Sequence, residues 1–245
     1  EVIWPGPDGP SPWRWRFWDH LSGRFAEAFS GGLGQWCEDH GIALTGHLMS
    51  EDGLFSQTSH VGECMRHYRS YQIPGIDLLC DAYVPATAKQ AVSVARQDGR
   101  DAVMSELYGV TNWDFPFAGH KRQGDWQAAL GITLRVHHLS WLSMEGQSKR
   151  DYPASIGPQS PWFKEYPVIE DHFARVGAAL TSGKPLVRIG IIHPVESAWM
   201  RRGVMQLDAP ALQTTRKMAM AISGISRLRL RPAVAFMKRS PCNAP

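Results

Sequence analysis

The stretch from Asp101 to Trp113 carries the residues most suited to chemistry. A short apolar run ends in Ser105-Glu106, and Gly109 and Trp113 follow within a few positions. A buried parallel strand has this form when it delivers an acid to the open end of a barrel. An acid there does proton or nucleophile chemistry, and an aromatic beside it offers a flat face to a sugar ring. The competing reading is that Glu106 caps a helix or pairs with an arginine. Glu51 stands just after another apolar run, so two carboxylates can reach one rim. Cleaving a glycosidic bond takes such a pair: one group protonates the leaving oxygen, the other activates water or attacks the anomeric carbon. A separation of roughly 5 Å implies retention, and about 6.5 to 9.5 Å leaves room for water and implies inversion.

Other residues cluster with these two along the chain. His47 shares a strand end with Glu51 and can donate to a sugar hydroxyl or serve as a satisfied structural residue. Asp77 closes an apolar run in the same way, as a ligand contact or a helix cap. His137 and His138 are neighbours on a strand, so only one can face the interior, which argues against a two-histidine metal site. Trp113, Trp141 and His138 complete the candidate substrate-binding set, with core packing as the alternative for Trp141. The four cysteines form no CxxC or CxxH pair and no disulfide framework, which argues against zinc. Cys37 and Cys80 read as buried thiols.

The elements that must position these residues alternate. Trp18, Leu21, Phe25 and Phe29 recur at helical spacing. A second helical stretch runs from Leu33 to His40. Apolar runs 42–49, 74–80, 101–107 and 133–141 read as strands. Helices are expected around 61–71, over 86–97, and over 123–130. Ser160-Pro161 has the form of a helix start, and Ile169, Phe173, Val176 and Leu180 mark a buried helix face that ends at Gly183. Leu186 to His193 reads as a fifth strand. This rhythm is that of a parallel α/β architecture. No GxGxxG or Walker-type loop follows a strand, which weakens a nucleotide-binding open sheet and favours a barrel. A whole barrel takes about 250 residues, and only four strand–helix units precede Leu186. The expected fold is therefore the C-terminal half of a (β/α)8 TIM-type barrel over residues 1–185. The start of another domain and a poorly ordered basic tail occupy 186–245.

The 245 residues are 43% hydrophobic and carry a net charge of +3, enough for a sizeable core and no argument for a particular partner. Ten tryptophans fit a carbohydrate-binding surface or a large core. No run approaches the roughly 20 apolar residues of a membrane span. Residue 1 is Glu within a Pro/Gly-rich loop, as in a fragment or a processed product. The Arg-rich stretch 227–232 reads as a disordered terminus rather than a nucleic-acid-binding arm.

Gly46-His47 with Glu51, Tyr71 to Asp77, Lys89 to Arg100 leading into Ser105-Glu106, Asp125-Trp126, His137-His138, and Pro161-Trp162 through Pro194 together resemble family 106 of the glycoside hydrolases. The likeness covers roughly residues 15 to 200. Members of that family are α-L-rhamnosidases. The resemblance implies a TIM-like barrel, water-mediated inverting hydrolysis and a bound calcium; the sequence shows no dedicated calcium loop, and Glu51, with Asp52 and Glu106, could supply some of the oxygens that calcium needs. It also implies a carbohydrate substrate and a secreted or extracellular setting; the absence of a long apolar run and the reading of the basic tail make neither a membrane nor nucleic acid the expected partner. Glu51 and Glu106 match acidic positions of the family pattern. Because the acid of many related barrels follows the fourth strand, Glu51 is alternatively a sugar or metal ligand. Two other readings stay open: a β-galactosidase-like hydrolase on a similar barrel, and a carbohydrate-binding fragment without catalysis.

Overall fold

The computed structural model describes residues 12–146 and 156–201. Four strands, β1 (Thr45–Gly46), β2 (Ile73–Leu78), β3 (Met104–Leu107) and β4 (Leu134–His137), form one sheet in sequence order. Every pairing is parallel. The sheet curls like part of a barrel wall, and helices supply the crossovers. The helices are α1 (Pro12–Phe25), α2 (Gly32–Asp39), α3 (Leu54–His60), α4 (Cys64–Tyr68), α5 (Pro85–Gln97), α6 (Phe117–Leu130), α7 (Pro167–Thr181) and α8 (Val195–Arg201); α3 and α4 join β1 to β2, α5 joins β2 to β3, and α6 joins β3 to β4. The partial α/β barrel expected from the sequence is compatible with this arrangement. A closed eight-stranded barrel is not present among the described residues.

Register fixes the two faces of the sheet. Gly75, Met104 and Leu134 are partners across β2, β3 and β4, and two residues on so are Asp77, Glu106 and Val136. These two rows share the concave face, because side chains alternate along a strand. Ile76, Leu78 and Leu107 face the other way and are buried. There β2 packs on α5, whose Ala88, Ala91, Val92 and Ala95 are almost wholly enclosed. Pro85 starts α5 at its first turn, where the missing N–H costs nothing.

Several expectations are corrected. In α1 the buried face is Arg14, Ser22 and, in the π-helical stretch Ala26–Gly31 that joins α1 to α2, Ala26 and Ser30. Leu21, Phe25 and Phe29, expected on the core side, are exposed. The reason is close approach: Ser30 Oγ lies 2.6 Å from His67 Nδ1, and a Cβ on Gly34 would sit 2.1 Å from the Ser70 carbonyl oxygen. Small residues face α4 because nothing larger fits. Ser160 does not cap a helix. A 3-10 turn (Phe163–Glu165) intervenes, and Pro167 opens α7. The apolar run from Leu186 is not a strand: 184–194 has no regular structure, and Ile189 and Ile192 are about four-fifths exposed (79% and 84%). The chain then returns. Trp199 of α8 is fully buried, donates its indole N–H to the Gly62 carbonyl at 3.1 Å, and lies under the Arg66 guanidinium. Cys37 and Cys64 are buried free thiols, whereas Cys80, expected as one, is half-buried and disulfide-bonded. The opening loop up to residue 11 and the basic tail from 202 lie outside the described residues.

Candidate functional site at the strand ends

Three sequence-predicted residues converge at the C-terminal ends of β1, β2 and β3. His47 follows β1, Asp77 lies near the end of β2, and Glu106 lies near the end of β3. One ligand atom from each lies within 4.8 Å of the others. His47 Nε2 is 3.2 Å from Glu106 Oε2, and its Nδ1 is 3.9 Å from Asp77 Oδ2. All three remain partly accessible, with side-chain exposures of 40%, 32% and 26% for His47, Asp77 and Glu106.

Local sequence explains this convergence. Asp77 and Glu106 are in register, so their carboxylates leave the same face of neighbouring strands. Gly46 has φ of +139° and lets the chain turn out of β1 after two residues. A Cβ on Gly75 would stand 2.4 Å from the Gly46 carbonyl oxygen and 2.7 Å from Met104 Cε. Glycine at 75 therefore lets β1 close on β2 beneath the cluster. Burial pushes the Asp77 carboxyl above its ordinary value, His47 opposes that, and the Glu106 charge adds to it.

The loops around the cluster hold strained backbone. Every non-glycine residue with positive φ among those described lies just beyond a strand: Ser50 after β1, Cys80 and Asp81 after β2, Tyr108, Val110 and Asn112 after β3, and Leu139 after β4. Val110 is the extreme case, since a β-branched side chain resists that region. Such strain concentrates where a site dictates the chain path.

The remaining predicted residues are placed differently. Glu51 does not share the rim: the residue is only 2% exposed and lies behind the strand ends. Its Oε1 accepts the Asp77 N–H at 2.7 Å, and its Oε2 accepts the Leu48 N–H at 3.2 Å and a short hydrogen bond from the Tyr68 hydroxyl. Burial raises its carboxyl to about 7 despite these donors. His138 packs against Gly109, where a Cβ would meet its ring at 2.5 Å. Trp113 and Trp141 stand half-buried in the loops after β3 and β4, and the Trp141 carbonyl accepts from Gln159 Nε2 at 2.5 Å. His137 faces away from the cluster and pairs with Glu170 of α7 at 3.0 Å, beside an Arg135–Glu170 pair at 2.7 Å. Burial works to raise the Glu170 carboxyl, but His137 and Arg135 hold it down to about 2.

Tyr68 was missed as a partner of the site. Its place in a helical apolar stretch reads as core, and no one-dimensional pattern aims its hydroxyl at Glu51. The cluster also bears on the implied calcium. Calcium takes about six to eight oxygens, whereas the cluster offers a ring nitrogen and two carboxylates, and the Glu51 oxygens are turned to protein donors. This set does not fit calcium. A histidine with two carboxylates is a donor set for a smaller, softer divalent ion such as zinc.

No family profile matches the chain, and no curated protein matches it. Among solved structures, a rhamnosidase from Novosphingobium sp. PP1Y is similar in fold, with a TM-score of 0.51 and 21% identity. The similarity covers 65% of this chain, which spans only 16% of the rhamnosidase chain. What this likeness supports is the fold, a partial α/β barrel.

Proposed function

We propose that this chain is the part of a glycoside hydrolase that presents Glu106 to a sugar at the barrel mouth, with an α-L-rhamnoside as substrate. Residues 1–185 would belong to the barrel. The observation that carries the reading is the convergence of Glu106, Asp77 and His47 from three neighbouring parallel strands at the end where barrel enzymes hold their sites. The rhamnosidase fold likeness agrees with it.

In this reading Asp77 takes the place that the sequence pattern gave to Glu51. Glu106 is the carboxylate that acts at the anomeric centre or on water. His47 stands between the two acids and opposes the upward displacement of the Asp77 carboxyl. The Asp77 and Glu106 ligand atoms lie within 4.8 Å. That is close to the roughly 5 Å of retaining pairs and short of the about 6.5 Å that an intervening water needs. If these two are the reacting pair, the glycoside is cleaved with retention. Inversion, which the family resemblance implies, would assign the second carboxylate to a group outside this cluster. Trp113 and Trp141 are proposed as stacking faces and His138 as a further sugar contact.

The test is hydrolysis of an aryl α-L-rhamnoside, with the aryl β-galactoside as control, and the anomer of the first product read by proton NMR. Turnover of the rhamnoside that disappears in Glu106→Gln supports the reading. Turnover of the galactoside alone favours the β-galactosidase-like alternative. Sugar binding without turnover, unchanged in Glu106→Gln, leaves a carbohydrate-binding role.

A further inference from the structure

Asp77 and Glu106 are in register on adjacent parallel strands, so their carboxylates leave the same face about 5 Å apart. Like charges so close are unfavourable unless a positive charge joins them. Among the described residues neither carboxylate pairs with a lysine or an arginine; the ion pairs of both run to His47. One His47 nitrogen and one oxygen from each acid thus stand together with no separation above 4.8 Å. The cluster holds two neighbouring anionic groups and a lone pair of nitrogen, and no fixed cation is built in beside them.

The distances decide between ions. Zinc binds nitrogen and oxygen at about 2.0 to 2.2 Å, so two ligands of a tetrahedral zinc stand about 3.3 to 3.6 Å apart. His47 Nε2 and Glu106 Oε2, at 3.2 Å, are already close to that value. The longer separations close by small turns of three partly exposed side chains. Calcium wants six to eight oxygens at about 2.3 to 2.6 Å, and here it meets two carboxylates and a nitrogen it does not favour. Three protein ligands leave the fourth position of a tetrahedral ion to water.

The backbone beneath the ligands is held in place. Glu51 accepts the Asp77 N–H at 2.7 Å and, at 3.2 Å, the N–H of Leu48, the residue after His47. Gln90 of α5 donates to the Glu51 carbonyl at 3.0 Å, and Gln57 of α3 donates to Gln90 at 3.1 Å. Ligands whose supports are fixed beforehand lose less freedom when the ion arrives.

We propose that His47, Asp77 and Glu106 are the three protein ligands of a site for a divalent transition ion of the zinc type, and that a filled site withholds Glu106 from glycoside hydrolysis. The blocking half rests on the carbohydrate reading above; the metal half does not. The ion binds the ring lone pair and one oxygen of each acid. It occupies the oxygens that would act at the anomeric centre or on water, so ion and glycoside exclude each other. Copper(II) and nickel(II) suit the same donors, whereas magnesium and calcium prefer sites made wholly of oxygen.

The experiment is calorimetric titration of the whole chain, first treated with a chelator, with zinc, calcium and magnesium in turn at one fixed pH. Zinc should bind as one ion per chain, and calcium and magnesium should give no heat at concentrations that saturate zinc. Zinc affinity should fall at least about a hundredfold in His47→Ala and in Asp77→Asn, since losing even a partner of a metal ligand costs about ten- to a hundredfold. His60→Ala removes a histidine exposed on α3 outside the cluster and should leave the affinity unchanged. Cobalt(II) bound to wild type should show the strong visible absorption of a four-coordinate ion, a signal that needs neither a substrate nor a folded variant. Aryl α-L-rhamnoside turnover should fall as zinc fills the calorimetric site and return with the chelator. Absent zinc binding, a six-coordinate cobalt spectrum, or tighter binding of calcium overturns the site. Zinc binding that is unchanged in His47→Ala and Asp77→Asn means an adventitious ion only and overturns it too. A filled site with turnover undiminished overturns the blocking half. If zinc binds as described and the chain cleaves no rhamnoside, the metal site stands, while the carbohydrate reading fails and the blocking half falls with it.

Discussion

His47 Nε2 stands 3.2 Å from Glu106 Oε2, while the other ring nitrogen faces Asp77. One imidazole thus sits between two carboxylates on adjacent strands, where it lowers the repulsion that their register would otherwise impose.

Removing the ring should expose that repulsion. In His47→Ala the Asp77 carboxyl is expected to titrate at higher pH than in wild type, since His47 now opposes its upward displacement. Carbon-detected NMR of the Asp77 carboxyl reads this directly. Glycoside turnover should fall at least about a hundredfold, the low end for losing a positioned proton-handling group.

Glu106→Gln keeps the shape and removes the charge. Turnover should drop by about a thousandfold or more, with the circular dichroism spectrum and urea midpoint nearly unchanged, because the side chain is partly exposed. Loss of the fold in this variant would instead make Glu106 a structural residue.

Stability should depend on pH in a direction set by Glu51. Its carboxyl ionises at about 7 in the folded chain and near 4.5 when unfolded. Between those values the folded chain keeps a proton that the unfolded chain has released. Stability therefore falls as pH rises through this window, by roughly 3 kcal/mol once above it. Burial raises Asp77 and Glu63 as well, which adds a slope of the same sign. Glu170 has the opposite sign: held at about 2, its contribution is present above the ordinary glutamate range and is lost as pH falls through 2. Burial lowers His67 and His193, which gives an opposing slope below the ordinary histidine range, so the Glu51 part is read as a difference: in urea unfolding at pH 5 and pH 8, wild type should lose more stability toward pH 8 than Glu51→Gln does.

Gly75→Ala should disturb the site through the backbone. The added methyl would meet the Gly46 carbonyl oxygen at 2.4 Å, and backbone atoms have little room to yield. Destabilisation of about 1 to 3 kcal/mol is expected, together with chemical-shift changes at His47. An unperturbed His47 would show that β1 does not depend on this close approach.

Much of the wall was legible from the residues. The apolar runs that end in Asp77, Glu106 and His137 are strands, and the alanine-rich face of α5 packs on the sheet as its spacing requires. The convergence of His47 with Glu106 follows from consecutive parallel strands, whose ends meet on one side. Burial was less legible. Glu51 and Asp77 look alike as acids after apolar runs, and only packing separates the enclosed carboxylate from the open one. The orientation of α1 escaped for a related reason, since close helix contact selected serine, alanine and glycine over the larger residues beside them. The segment from Leu186 has strand-forming residues, but in this fold it pairs with no strand edge. Sequence pattern records the preference of a segment, whereas a sheet also needs a neighbour.

Trp13, Phe17, Leu21, Phe25, Phe29, Leu33 and Trp36 all remain exposed along α1, the π-helical stretch and α2. Their near fourfold repeat would spiral around an ordinary helix, which advances about 100° per residue. The wider π-helical turn slows that drift and helps keep the ridge in line. The ridge runs for about 35 Å at 1.5 Å per residue, long enough to act as an oily keel. The isolated chain should therefore cling to phenyl-substituted chromatography media, light up environment-sensitive dyes without unfolding, and be shielded by mild detergent at doses that leave its secondary structure intact.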